Sequence, residues 1–142
     1  MKHYIIIFLL CFFTTSSFSQ NIKWEKNYST ALKDAQENNK LLLIYFNDGK
    51  SPSIERLIKK RIFKSNEFKN ISDNIVGLLI TEVENNNEHR YNSRVVSGYN
   101  SNKVFPSVKV MDFKSKEHLP LLTNFEEANI KLFFSQLKNL LY

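Results

Sequence analysis

The sequence predicts an α/β fold: a central mixed β-sheet with helices on both faces. Three observations predict it. "LLLIYF" (41–46) and "NIVGLLITEV" (74–83) are apolar runs of strand length, as strands covered on both faces require. An amphipathic helical stretch separates them, so the first half alternates as a parallel α/β unit does. Downstream, "SVKVMDF" (107–113) alternates apolar and polar residues, "KSKE" reads as a turn, and "HLPLLT" (118–123) reads as a shorter strand, which together make a hairpin.

The elements follow in order. "STALKDAQENNK" (29–40) reads as a helix with Leu32, Ala35 and Gln36 on one face, Ser29 as N-cap and Asn38-Asn39 as its end. "IERLIKKRIF" (54–63) is amphipathic: Ile54, Leu57, Ile58 and Ile62 form one stripe, while Arg56, Lys59, Lys60 and Lys64 face water. Residues 65–70 extend or restart this helix. "RYNSRVVSGYN" (90–100) holds a short helix. Pro120 has no N–H for a ladder, so the 118–123 strand belongs at a sheet edge. Thr123-Asn124-Phe125-Glu126 fits a capping box for a last helix, along which Ile130, Phe133, Phe134, Leu137 and Leu141 recur at helical spacing. That aromatic stripe is core filling.

The first twenty residues stand apart. Lys2 and His3 precede an apolar run from Tyr4 to Phe13, and a small polar cluster, Thr14 to Ser19, closes it. This is the order of a secretory signal peptide. The run is about ten residues, and a bilayer span needs about twenty. Residues 1–20 are therefore expected to be a signal peptide cleaved near Ser19 or Gln20, leaving residues 21–142 as one exported domain, periplasmic or secreted, with no stable membrane span. Cys11 lies within the apolar run and is the chain's one cysteine, so residues 21–142 contain none. That excludes disulfides, thiolate catalysis and cysteine-ligated metal from the processed chain. The net charge of +6 reads as a solvated surface, and with export it gives no reason to expect a nucleic-acid partner.

Two local patterns carry a family resemblance. The first is Trp24, Ala31, Ala35, Asn39-Lys40 and "LLLIYF"; the second is "GYNSNKVFPSVKVMD" (98–112). In that order and spacing, residues 22–142 resemble the thioredoxin-like superfamily, in particular secreted domains related to the C-terminal domain of thiol:disulfide interchange proteins. The resemblance implies a thioredoxin-like fold and a cis bond before Pro106. It sets Lys50 on the family's Trp, Ser51 on the nucleophilic Cys, Ile54 on the resolving Cys and Tyr45 on a buried Asp that assists proton transfer. All three redox positions are altered. A dithiol enzyme needs one thiolate to attack and a second thiol to resolve, so no catalytic residue is assigned.

Other candidates are weighed against plainer readings. Ser51 or Ser53 could be a serine nucleophile, but "GKSPS" is no nucleophile elbow, and Ser53 reads better as a helix N-cap. His89 beside Glu82, Glu84 and Glu88 suggests a metal site only superficially, and a solvated loop explains it; no metal and no cofactor are expected. His118 stands alone. Lys59, Lys60, Arg61, Lys64 and Lys69 form either the wet face of a helix or a dock for an acidic partner. In the family the backbone before the cis-proline pairs with an extended segment, which needs no sulfur. The resemblance therefore implies a binding groove lined by Lys50, Ser51, Pro52, Phe105 and Pro106, with Phe105 as its main apolar contact. The expected function is a redox-inactive module, monomeric, binding a protein or peptide. The rivals are a thiol:disulfide oxidoreductase relative or relic, and a structural subunit that docks through its helices.

Overall fold

A computed structural model describes residues 22–81 and 89–142, with the backbone alone for residues 89–91. The expected signal peptide and the Glu82, Glu84 and Glu88 cluster lie outside the described residues, as does the His89 side chain.

The chain runs β1 (Trp24–Glu25), α1 (Tyr28–Glu37), β2 (Leu41–Asn47), α2 (Pro52–Ile58), a π-helical turn (Lys59–Phe63), α3 (Asn66–Ile71), a 3₁₀ turn (Ser72–Asn74), β3 (Ile75–Thr81), α4 (His89–Tyr99), β4 (Ser107–Met111) and α5 (Glu127–Leu141). The sheet order is β1-β3-β2-β4. β3 is parallel to both β1 and β2, and β4 is antiparallel to β2. The sheet is therefore mixed, as expected.

Strand β2 is central, and its first six residues are all buried. Side chains alternate across a strand, so Leu41, Leu43 and Tyr45 face one core, and Leu42, Ile44 and Phe46 the other. The first core takes Ile58, Ile62, Phe68 and the α5 residues Ile130, Phe133, Phe134 and Leu137. The second takes Ala31 and Ala35 of α1 with Val95 and Val96 of α4. The two alanines lie one helical turn apart, and their small side chains let α1 sit close on the sheet. A hydroxyl–hydroxyl bond of 2.7 Å between Tyr28 and Tyr99 ties α1 to α4. Burial and that bond raise the Tyr28 phenol above its ordinary value.

Several local expectations are corrected. The α1 cap is Asn27, whose Oδ1 accepts from Thr30 N–H, and Ser29 lies inside the helix. On α1 the buried residues are Ala31 and Ala35, whereas Gln36 is exposed. Helix α2 starts at Pro52, so Ser51 holds the cap position and Ser53 is helical. Ile54 is 40% exposed and does not join Ile58 and Ile62 in the core. It sits in the first turn of α2. The capping box at Thr123 is not made: α5 begins at Glu127, and Asn124 Oδ1 accepts from Glu126 N–H. Residues 118–123 form no full strand. They touch β4 through bridges at Leu122 and His118, and Pro120 interrupts the ladder between them. Lys109 Nζ bridges the gap, donating to Leu119 C=O at 2.6 Å and approaching His118 Nδ1 at 3.1 Å, so His118 does have a partner.

Candidate functional site

The register Phe46↔Ser107 brings the end of β2 beside the start of β4. The loops flanking these residues, 48–51 and 100–106, therefore leave the sheet at the same end. Rigid strands place them; different side chains shape them.

The first loop is two nested side-chain turns. Asn47 Oδ1 accepts from Gly49 N–H at 2.9 Å and Asp48 Oδ1 from Lys50 N–H at 3.0 Å. Gly49 has φ +73°, which a residue without Cβ adopts freely. Pro52 then opens α2, a position where its missing N–H costs nothing. Ser51 C=O accepts from Glu55 N–H at 3.0 Å, but the Ser51 hydroxyl makes no capping bond. Lys50 and Pro52 are exposed and Ser51 is half-buried. Ser51 and Ile54 thus occupy the cap and the first turn of α2.

The second loop is held by one buried side chain, Asn100, 1% exposed at the end of α4. Its Oδ1 accepts from Val104 N–H at 2.9 Å, and its Nδ2 donates to Val104 C=O at 2.8 Å and to Ser107 Oγ at 3.3 Å. Sequence reasoning missed Asn100. An asparagine after a helix reads as an ordinary helix end, and only the return of the chain at Val104 reveals the clamp. The Phe105–Pro106 bond is cis. Phe105 is half-buried, its ring edge-on to Phe46 with centroids 6.3 Å apart. Pro106 is buried, so it underlies the loop and does not line a groove. The Phe105 ring packs against the second core, which makes it less open than a free apolar contact. Its main chain differs: neither the Phe105 N–H nor its C=O meets a partner among the described residues.

Tyr45 lies on the opposite face from Phe46, 3% exposed, between Trp24 (centroids 6.0 Å apart) and Phe63 (5.2 Å). Its hydroxyl and Glu55 Oε1 are both buried and have no hydrogen-bond partner among the described residues. Burial first, and the Glu55 charge second, push the Tyr45 phenol up to about 12. The basic residues Lys59, Lys60, Arg61, Lys64 and Lys69 are all exposed. Among the described residues no cluster of His, Cys, Asp and Glu could hold a metal ion, and no helix is long and apolar enough to cross a membrane.

No protein-family model matches the chain, and no curated protein matches its sequence. Solved structures do. The chain is similar to a DsbH oxidoreductase at TM-score 0.62 and 21% identity, covering 84% of this chain and 83% of that one. It is also similar to a thioredoxin from Thermus thermophilus, at TM-score 0.60 and 15% identity, over 82% and 87% of the two chains. A third similar structure is a disulphide isomerase from Xylella fastidiosa Temecula1, at 0.56 and 16%, over 78% and 87%. At these identities the likeness shows the fold, and the fold is thioredoxin-like.

Proposed function

We propose that this chain is an exported binding module on a thioredoxin-like fold, which holds an extended protein or peptide segment at the Phe105 loop and carries no dithiol chemistry. The observation that carries this reading is the Phe105 main chain, which has no partner among the described residues and lies beside a loop whose redox positions are Ser51 and Ile54. A free N–H and C=O accept an added strand without help from sulfur. Lys50, Ser51 and Pro52 on the neighbouring loop form the far wall, and Asn100 holds the near one in place.

The names of the similar structures favour a second reading, a relative of thiol:disulfide oxidoreductases. A chain with one cysteine cannot form the attacking and resolving pair. The apolar run at residues 4–13 supports export.

The test is amide-resolved NMR titration of the protein with extended apolar peptides. Shifts should concentrate at residues 103–107 and 48–53, and Phe105→Ala should weaken them. Shifts confined to the Lys59–Lys64 surface would refute the groove. Recovery of the protein from cells with residues 1–20 still attached, in the cytoplasm, would refute export.

A further inference from the structure

A cavity of about 430 Å³ opens on the first face of the sheet. Trp24, Tyr45, Phe63 and Leu79 supply its apolar walls, and Lys59 and Lys64 line it as well. The aromatic walls interlock edge to face: Trp24 and Phe63 have centroids 4.9 Å apart at 72°, and Tyr45 and Phe63 5.2 Å apart at 65°. Trp24 reaches this place because Gly77 lies opposite it on β3, where a Cβ would come within 2.9 Å of the indole.

The π-helical turn sets the charges. Lys64 N–H bonds to Lys59 C=O, five residues back. In a regular α-helix, residues five apart point about 140° away from each other. The wider turn brings Lys59 and Lys64 round to one cavity, with Phe63 between them. Such turns are frequent at functional sites. Among the described residues, neither lysine forms an ion pair and none of those lining the cavity is acidic. The Tyr45 hydroxyl is buried and has no partner among the described residues. The same holds for Glu55 Oε1, but Glu55 does not line the cavity. Its charge near Tyr45 disfavours an anion deep inside and leaves the lysines as the place for one.

We infer that this cavity binds a small free anionic amphiphile, with its apolar body among Trp24, Tyr45 and Phe63 and its carboxylate on Lys59 and Lys64. The volume lies within the range of about 300–1,000 Å³ found for small-molecule sites. The shape asks for a body of fatty-acid or aromatic-acid size with one negative charge.

Trp24 is the chain's single tryptophan, so its fluorescence reports on the cavity directly. Decanoate, decanol and decyltrimethylammonium are titrated in turn below their micelle thresholds. Decanoate should give a saturable change. Decanol should bind about fivefold more weakly or worse, the loss of one well-formed surface ion pair, and the cation should not bind. Lys59→Glu and Lys64→Glu should each weaken decanoate by about fivefold or more. Lys60→Glu, exposed on the same turn but outside the cavity, should leave it unchanged. No saturable change with decanoate, equal binding of decanol, or equal effects of Lys60→Glu and Lys64→Glu would each overturn the site. Displacement of decanoate by anionic phospholipid vesicles would overturn the free ligand and assign the cavity to membrane lipid.

Discussion

The two loops at the end of β2 differ in what holds them and in what they offer. Loop 48–51 is built from Asn47 and Asp48 turns whose hydrogen bonds are exposed, and it presents side chains: Lys50, Ser51 and Pro52. Loop 100–106 is built on a buried asparagine and presents main chain, at Phe105. Side-chain chemistry vanishes when a cysteine becomes serine. Main-chain binding survives any change that leaves the backbone path intact. On the proposed reading, a fold associated with sulfur chemistry keeps a binding edge with no sulfur in it.

Substitutions separate the two loops by size of effect. Phe133→Ala, a core truncation, sets the scale at about 3 kcal/mol or more. Asn100→Ala should cost about 2 kcal/mol, since it removes three hydrogen bonds at a buried position. Asp48→Ala should cost under about 1 kcal/mol, because the lost bond is exposed and water replaces it. Urea denaturation of the three variants checks the order, and an Asp48→Ala cost equal to that of Asn100→Ala would erase the distinction. Phe105→Ala should weaken a bound peptide by more than about 1 kcal/mol while destabilising the fold less than Phe133→Ala does. Binding titrations beside denaturation curves measure both.

The alkaline limb sharpens the picture on the other face. The folded state prefers the protonated Tyr45 phenol, raised from 10.0 to about 12. That preference stabilises the fold fully below pH 10 and is lost as pH rises toward 12. Tyr45→Phe should lessen the loss of stability across that window, leaving the share that the raised Tyr28 phenol contributes; at neutral pH it should be neutral or slightly stabilising, since it removes a buried hydroxyl that has no partner among the described residues. Denaturation midpoints at pH 8, 10 and 11.5 decide it.

How much was legible in the sequence follows from the range of each interaction. β2, β3 and α5 were legible because their apolar patterns are continuous and match one period throughout. Caps were misplaced at Ser29, Ser53 and Thr123, where several polar residues in a row can each serve and packing chooses among them. The 118–123 strand failed at Pro120, although its edge position was correct. Lys50, Ser51 and Pro52 and the Phe105–Pro106 stretch leave the sheet at one end, and the burial of Pro106 did not show in the sequence. The Asn100 clamp and the Lys59–Lys64 turn were illegible for one reason: each depends on where distant backbone returns, and no local pattern encodes that.

The central expectation is that Ser51 and Ile54 stand where a dithiol pair would on this fold, in a chain that has no sulfur there and has Tyr45 in place of the proton-assisting Asp. Ser51→Cys with Ile54→Cys, in a protein also carrying Cys11→Ser or lacking residues 1–20, tests it most directly through disulfide formation and insulin reduction. The account predicts no turnover by the protein with Ser51 and Ile54 in place, and an oxidisable pair with measurable turnover in the double variant. Turnover without the introduced cysteines, or a double variant that forms no disulfide on oxidation, would contradict it.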